Sequence, residues 1–311
     1  INFKISSLII LHTNEICMPE QYRNVASNVD FNDCPQDGWN WFHALNLSNC
    51  NFGKSKVQED SQIKWNLLHN IITSQNFDCA TIFGTGPSLS NASSTCWEKS
   101  INIVCNTIVR DKSLWNHISP HIFVAGDANY HFGFTDFAKK FREDLHYRLS
   151  ETNTNFVYPI HFDQIVQRDF SDFESRLLPI EKSSSADIMN DLRKSFQYPP
   201  IGNILNILLL PLATNLHKRI QLLGFDGRSP DAKYFWDNSP KHSYPELFES
   251  LLKNYPAFFN HFVPKGNAEK YVKDVHGDKL EKRLCSLESL GFKFEVLNFS
   301  FTPALQKRCR V

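Results

Sequence analysis

The chain has 311 residues, which is enough for one large domain or two modest ones. Its composition is ordinary for a globular protein, and a formal net charge of zero argues against a general nucleic-acid binder. No stretch approaches the roughly 18 consecutive apolar residues of a membrane-spanning helix. The 8 cysteines form neither a Cys-x-x-Cys pair nor a Cys/His cluster at zinc spacing, so we predict no metal site.

The N-terminal residues 1–75 are interpreted as an extension that adds a helical layer. A helix is predicted over about 59–74, and we expect it to pack beside the first strand of the main domain. This prediction rests on apolar residues at helical spacing, namely Ile63, Leu67, Ile71 and Ile72.

The stretch 78–90 predicts a buried strand, a glycine turn and a helix start. Gly84 and Gly86 free the backbone to turn tightly and to approach a ligand, while Pro87 and Ser88 suit a first helical turn. A strand that leads into a turn with outward-pointing amides favours phosphate binding, and an ordinary βα turn is the alternative. No third glycine and no Gly-Lys-Ser/Thr follow, which argues against a dinucleotide fingerprint and a P-loop.

Two further strands are predicted over 101–107 and 121–127, and polar residues stand at their ends. Asn106 follows the first strand, and Asp127 and Asn129 follow the second. In open α/β sheets, ligands bind beyond the carboxyl ends of the strands. We therefore expect these side chains to lie at one edge of the sheet with the glycine turn, although Asn and Asp are also common turn residues.

The middle of the chain continues the alternation of strands and helices. A helix is predicted over about 135–149, a strand over 155–159 and a polar loop near 182–185. An apolar helix then starts at Gly202-Asn203, and we expect Pro211 to kink or end it early. The strand 219–226 ends in Gly-Phe-Asp, which brings Asp226 to the same edge.

Residues 227–275 contain no strand signal and are rich in aromatic, basic and proline residues. We interpret them as a lid or acceptor-binding insertion, with a surface helical insertion as the alternative. Residues 276–311 return to the main domain with a helix over 279–290 and a last strand over 292–298. The predicted fold class is α/β, a Rossmann-like and mostly parallel sheet flanked by helices, with its main α/β domain over 76–226.

The order of these motifs resembles the bacterial CMP-sialic-acid-dependent sialyltransferases of glycosyltransferase family 42. The shared features are Gly-x-Gly-Pro-Ser-Leu after the first strand, a strand that ends in Cys-Asn, a glycine-led apolar helix, a strand that ends in Gly-x-Asp, and a late His. The resemblance covers roughly residues 78–302 and implies a GT-A-like sialyltransferase variant. The glycine turn also occurs in a related superfamily that includes 6-hydroxymethylpterin diphosphokinase.

The resemblance assigns the donor site residue by residue. Gly84, Thr85, Gly86, Pro87 and Ser88 would hold the phosphate and ribose of the nucleotide. The other donor contacts that it implies are Asn106, Asp127 or Asn129, Gly202, Asn203 and Asp226.

The resemblance also implies catalytic residues. The family stabilises the leaving phosphate with two lid tyrosines; Tyr234 stands at the second of these positions and Arg228 at the first. Arg228 departs from the family pattern, but its guanidinium offers charge-assisted donors for a phosphate. His276 lies within one residue of the family's general base, and His242, farther upstream, is the alternative; imidazole titrates near neutrality, which suits this role.

The implied activity is transfer of a sugar from a nucleotide donor, CMP-sialic acid or a relative, to a hydroxyl of a glycan acceptor such as lipopolysaccharide. The chain has no Asp-x-Asp motif, so we expect neither a metal nor a further cofactor. An ATP- and Mg²⁺-dependent pterin-type diphosphokinase and a non-catalytic sugar- or nucleotide-binding module are the alternatives. We expect a cytoplasmic protein, with peripheral membrane association, the secretory pathway and a homo-oligomer left open, and no nucleic-acid partner.

Overall fold

A central parallel sheet organises the molecule. The computed structural model describes residues 9–11, 26–28, 54–127, 130–133, 135–183, 191–199, 203–227, 243–254 and 277–310. The strands are β1 (Ile9–Leu11), β2 (Ala26–Asn28), β3 (Cys79–Phe83), β4 (Ser100–Cys105), β5 (Ile122–Val124), β6 (Asn155–Pro159), β7 (Leu177–Lys182), β8 (Gln197–Tyr198), β9 (Arg219–Leu223) and β10 (Lys293–Val296). Strands β1 and β2 pair with each other in parallel, and the other eight form one sheet in the order β10-β9-β3-β4-β5-β6-β7-β8.

Helices connect these strands. The α-helices are α1 (Lys54–Thr73), α2 (Lys112–Ile118), α3 (Asp136–Glu151), α4 (Asp163–Phe170), α5 (Leu210–Leu216), α6 (Phe248–Asn254), α7 (Lys279–Ser289) and α8 (Pro303–Gln306). A π-helix (Leu205–Leu209) precedes α5 directly, and 3-10 helices cover Pro87–Ser94, Asn106–Arg110, Ile160–Phe162, Ser171–Arg176 and Pro245–Leu247. None of the helices in the described ranges is long and apolar enough to cross a bilayer.

All pairings in the main sheet are parallel, which confirms the predicted α/β Rossmann-like class. Every residue of β3 and of β4 is buried, as expected of strands that are covered on both faces. Ile82 and Ile103 belong to a core on one face with α1, α5 and α7, whereas Phe83 and Val104 belong to a core on the other face with α2, α3 and α4.

The order of the strands reverses at β3. From β3 the chain builds the sheet in one direction through β4, β5, β6, β7 and β8, and it then returns to place β9 and β10 on the other side of β3. The register brings Phe83 at the end of β3 opposite Leu223 at the end of β9. The two adjacent carboxyl ends form a topological switch point, which is where open α/β sheets bind ligands.

The buried face of α1 differs from the prediction. Ile63, Leu67 and Ile71 are 58–59% exposed, while Trp65 and Ile72 are buried in the core. The helix carries two apolar stripes, and only one of them can face the sheet. The stripe with Trp65 is buried, which removes the larger apolar area from water.

The position of α1 also differs from the prediction, which placed this helix beside the first strand. The Ser61 hydroxyl donates to the Pro179 carbonyl of β7 at 2.7 Å, and β7 is four strands from β3. Nearer the end of the helix, a His69 ring nitrogen lies 3.0 Å from the Asn215 carbonyl of α5. The helix therefore crosses one face of the sheet from β7 towards α5.

Several elements were absent from the prediction. Strands β7 and β8 and helix α4 lie in a stretch that offers mixed polar and apolar signals, and the predicted loop at 182–185 starts at the end of β7. Pro211 was expected to kink or end the apolar helix, but the helix continues to Leu216. A π-helix (Leu205–Leu209) directly precedes this segment, so the helix changes type at the proline instead of ending there.

Candidate functional site

A cavity of about 160 Å³ lies at the carboxyl ends of β3, β4 and β9, at the switch point of the sheet. Apolar side chains from the start of the π-helix, from α7 and from α8 form much of its wall. The residues that line it are Gly84, Thr85, Gly86, Cys105, Asn106, Asn203, Ile204, Leu205, Gly224, Phe225, Asp226, Gly227, Leu280, Thr302 and Leu305. Six of the residues predicted for the donor site, Gly84, Thr85, Gly86, Asn106, Asn203 and Asp226, are therefore brought together.

The backbone of the turn after β3 packs directly against the backbone of the turn after β9. A Cβ at Gly84 would stand 2.4 Å from the Gly224 carbonyl oxygen, and one at Gly224 would stand 2.2 Å from the Gly84 carbonyl oxygen. Gly224 also has a positive φ of 82°, a conformation that favours glycine. The glycines of both turns are thus required for contact between the two strand ends.

The amides of the glycine turn have partners within the protein. The Gly84 amide donates to the Leu223 carbonyl at 2.8 Å, and the Gly86 amide donates to the Gly224 carbonyl at 2.9 Å. Among the described residues, the Thr85 amide has no such acceptor. The sequence suggested a row of outward-pointing amides; in the structure, Thr85 alone of these three residues leaves its amide available to a ligand.

Asp226 joins the two turns. Its carboxylate accepts the Ser88 amide at 3.2 Å and the Ser88 hydroxyl at 2.9 Å. Its own carbonyl accepts the Phe301 amide at 2.7 Å. Ser88 and Pro87 do not line the cavity, so Ser88 acts on it through Asp226. The carboxylate is held by two donors and presents its remaining surface to the cavity.

Asn106, the residue after β4, adopts a left-handed conformation with φ of 53°. Asn tolerates this region better than other residues with side chains, so the residue type suits the sharp exit from the strand. Its side-chain amide lines the cavity and has no hydrogen-bond partner among the described residues. It is therefore available to donate to a ligand and to accept from one.

Asn203 starts the helical wall of the cavity. It has φ of 101°, and its side-chain oxygen accepts the Asn206 amide at 2.9 Å. This contact satisfies one of the amides that a helix start leaves without a partner. The next two residues, Ile204 and Leu205, also line the cavity.

The structure does not bring Asp127 to the cavity. Its amide donates to His131 Nδ1 at 3.0 Å, and its carboxylate accepts the Tyr130 amide at 2.8 Å, so it closes a local turn after β5. Burial and the nearby Arg142 lower the pKa of His131 to about 3, which keeps the ring neutral as an acceptor. This geometry matches the turn role that was the alternative for Asp127.

The other predicted site residues lie outside the described residues. They are Asn129 and Gly202 of the donor site, and Arg228, Tyr234, His242 and His276 of the catalytic set. Within the described part of the chain, no group of three or more His, Cys, Asp or Glu side chains could hold a metal ion.

Sequence reasoning missed several residues of the cavity. Gly227, with φ of 69°, is held against Thr302, since a Cβ there would stand 2.6 Å from the Thr302 amide nitrogen. The repeated glycines around Phe225 and Asp226 were a signal for this close approach. Leu280, Thr302 and Leu305 lack such a signal, because only the fold brings the last two helices to the switch point.

Cys105 forms part of the wall as a protonated thiol. It is 1% exposed, burial raises its pKa to about 12, and its Sγ donates to the Phe83 carbonyl at 3.3 Å. A thiol with this pKa is not a nucleophile at neutral pH. Cys105 therefore serves as a small buried hydrophobe in the cavity wall.

Comparison with known proteins yields little. No protein-family model matches the chain, and no curated protein matches it. Among solved structures, the chain is similar to the sialyltransferase CstII from Campylobacter jejuni in complex with a substrate analogue, CMP-3FNeuAc. The match has 14% identity and a TM-score of 0.32, and it covers 73% of this chain and 87% of that chain. A TM-score at this level supports no conclusion about activity.

Proposed function

We propose that the protein is a glycosyltransferase of the sialyltransferase-like type, which transfers a sugar from a nucleotide donor, CMP-sialic acid or a relative, to a glycan hydroxyl. The observation that supports it is the convergence of three strand ends and one helix start on a single cavity at the switch point. This is the position at which open α/β sheets bind nucleotides.

The size and lining of the cavity suit the base of a nucleoside. Its volume of about 160 Å³ is close to that of a cavity that holds a single aromatic ring, and its apolar wall offers faces for a planar base. Asn106 supplies a donor and an acceptor, and the Thr85 amide supplies a donor, beside the glycine turn after β3. In this proposal the ring lies between Leu205 and Leu280.

The proposed reaction exchanges one bond at the anomeric carbon and transfers one proton. The acceptor hydroxyl oxygen attacks the anomeric carbon of the sugar, and the bond from that carbon to the phosphate oxygen breaks. The electron pair stays with the departing nucleotide, and the hydroxyl proton passes to an imidazole. His276, with His242 as the alternative, is proposed as that base, and Arg228 and Tyr234 are proposed to stabilise the phosphate.

A thermal-shift panel tests the proposal. Purified protein is heated with CMP, UDP, GDP and ATP, each with and without Mg²⁺. A ligand at about 100 times its Kd adds roughly 2.7 kcal/mol to the free energy of unfolding, which is readily detected. We expect CMP to raise Tm without metal. Stabilisation by ATP only with Mg²⁺ would instead favour a pterin-type diphosphokinase, and no response to any nucleotide would favour a non-catalytic module.

A further inference from the structure

A proline interrupts the hydrogen bonds of the helical wall behind the cavity. In the π-helix, the Leu210 amide donates to the Leu205 carbonyl, five residues back. The next amide in this register would belong to residue 211 and would donate to the Asn206 carbonyl. Residue 211 is proline and has no N–H. The Asn206 carbonyl therefore lacks the donor that the π register would provide.

Arg283 of α7 supplies a donor to that carbonyl. Its Nη1 hydrogen-bonds to the Asn206 carbonyl oxygen across 77 residues of sequence. The side chain is 1% exposed, and it is among the largest fully buried side chains of the described residues. A buried guanidinium thus replaces the amide that Pro211 cannot offer, and it ties α7 to the π-helix.

The charge of Arg283 is not neutralised by a carboxylate in the part of the chain that the structure describes. Its Nε is also buried without a hydrogen-bond partner. Burial lowers its pKa to about 10, so the side chain keeps its charge at neutral pH. By contrast, Arg308, also packed against α7, pairs with both Glu281 and Glu288. An uncompensated buried charge is costly, and a ligand anion is one way to compensate it.

Both ends of the Arg283 contact adjoin the cavity wall. Leu280, one helical turn before Arg283 on α7, lines the cavity, and so does Leu205, the neighbour of Asn206. One turn of helix rises roughly 5 Å, so the backbone of Arg283 stands about that far along α7 from the cavity wall. A charge roughly 10 Å from a ligand anion, at an effective dielectric constant of about 20, changes affinity by roughly tenfold or more.

We infer that Arg283 is a positioning residue that holds the π-helical wall through the Asn206 carbonyl, and that its charge favours an anionic ligand over the neutral counterpart, in opposition to the Asp226 carboxylate that also lines the cavity. This inference rests on the proposed function, since the anion would be the phosphate of the donor nucleotide. Arg283 itself does not line the cavity. It affects the ligand through the position of the π-helical wall and through the electrostatic field of its charge.

The test compares CMP with cytidine, which lacks the phosphate. Dissociation constants are measured by calorimetry for the wild type, Arg283→Met and Arg283→Lys. We expect Arg283→Met to weaken CMP binding roughly tenfold while cytidine changes less than about twofold, and Arg283→Lys to keep most of the preference for CMP. Equal losses for both ligands, or no loss for either, would overturn the inference.

Two further variants separate charge from packing. Arg283→Gln keeps an N–H donor without the charge, and it replaces Arg283→Met if that variant does not fold. Pro211→Ala restores an amide for the Asn206 carbonyl, so in the Arg283→Met background it should recover any lost cytidine binding but not the preference for CMP. Arg176→Met is the matched control: Arg176 also donates only to carbonyls, those of Leu149, Thr152 and Thr154, but it precedes β7, which is three strands from β4.

The same variants keep the two proposals distinguishable. If the wild type binds neither CMP nor cytidine, the proposed function fails. The effect of Arg283 on anion binding is then tested in a thermal-shift assay with inorganic pyrophosphate as the anion. Stabilisation of the wild type and of Arg176→Met, but not of Arg283→Met or Arg283→Gln, would support the inference. Equal shifts in all variants, or no shift in any, would overturn it.

Discussion

Gly86 faces the carboxylate of Asp226 with no room for a side chain between them: a Cβ on Gly86 would stand 2.1 Å from Asp226 Oδ2. The same Cβ would stand 2.8 Å from the Gly224 carbonyl oxygen, which is backbone and cannot rotate away. Gly86 is therefore the point at which the turn after β3 and the turn after β9 lock together, with Asp226 between them.

Gly86→Ala is expected to destabilise the protein by about 2–3 kcal/mol, because the added methyl overpacks a backbone contact. CMP binding should be lost with it, since both turns line the cavity. Gly291→Ala is the control: its φ of 85° carries the cost of a left-handed residue, but a Cβ there meets nothing within 4 Å. Urea unfolding of both variants measures the difference. Equal destabilisation would contradict the close contact at Gly86.

Ser88→Ala is expected to cost about 1 kcal/mol of stability and to weaken CMP binding, although Ser88 does not line the cavity. The substitution removes the hydroxyl donor at 2.9 Å from Asp226 and leaves the Ser88 amide in place. Ser90→Ala in the same 3-10 helix is the control, because its exposed hydroxyl donates only to the Pro87 carbonyl. Calorimetry with CMP measures binding; an unchanged Kd in Ser88→Ala would show that Asp226 does not need this donor.

Asn106→Gly should move stability and binding in opposite directions. Glycine adopts the φ of 53° without strain, so the free energy of unfolding should stay constant or rise by up to about 1 kcal/mol. The variant loses the side-chain amide in the cavity, and its CMP affinity should fall. Ser119→Gly, at φ of 51° after α2, is the matched control for the backbone effect alone. Unchanged CMP affinity in Asn106→Gly would exclude Asn106 as a ligand contact.

The buried His131 predicts a loss of stability in acid. Its folded-state pKa is lowered from 6.5 to about 3, so between these values the unfolded state binds more protons than the folded state. Stability therefore rises with pH through this window and falls on acidification, by at most about 5 kcal/mol over the full gap. His121, whose pKa burial also lowers, acts in the same direction.

The variant His131→Gln isolates the contribution of His131 to the pH dependence of the free energy of unfolding. Its free energy of unfolding should depend less on pH than that of the wild type between about pH 4.5 and 6.5, above the range in which most carboxylates titrate. Exposed His117→Gln is the control and should keep the dependence of the wild type. Parallel curves for the wild type and His131→Gln would show that His131 does not remain neutral in the folded state.

The proposed base is tested by activity. His276→Ala should lower kcat by about 100-fold or more while CMP binding stays the same, because the base acts on the acceptor hydroxyl. His242→Ala should keep activity, and the reverse pattern would assign the base to His242. Both assays are run with and without chelator, and the proposal expects no effect of the chelator. Full activity in His276→Ala would refute the assignment of this residue.

Much of the fold could be predicted from short-range signals. Buried strands are continuous apolar runs, and β6 coincides with the predicted strand at 155–159, because Asn155 and Pro159 bound a compact apolar run. The predicted ends of β3, β4 and β9 are correct to within a few residues, and each precedes a glycine or an asparagine. Since carboxyl ends of parallel strands meet at one edge, their convergence could be predicted before any coordinates.

The predictions from sequence failed where two local patterns were equally compatible with the same residues. Helix α1 offers one stripe with Ile63, Leu67 and Ile71 and another with Trp65, Leu68 and Ile72, and periodicity does not rank them. Likewise, the sequence around Asp127 is compatible with a ligand contact and with a turn. The turn forms because His131 Nδ1 accepts a hydrogen bond from the Asp127 amide.

The sequence by itself determined the α/β class, the parallel sheet and the edge at which Gly84, Asn106 and Asp226 meet, because these follow from apolar runs and from turn residues next to them. Only the tertiary structure decided what those residues do there. The amides of Gly84 and Gly86 are bonded to the end of β9, and Arg283 takes the place of an amide at Pro211. Such contacts join residues far apart in the chain, and their hydrogen-bond partners leave no periodic trace in the sequence.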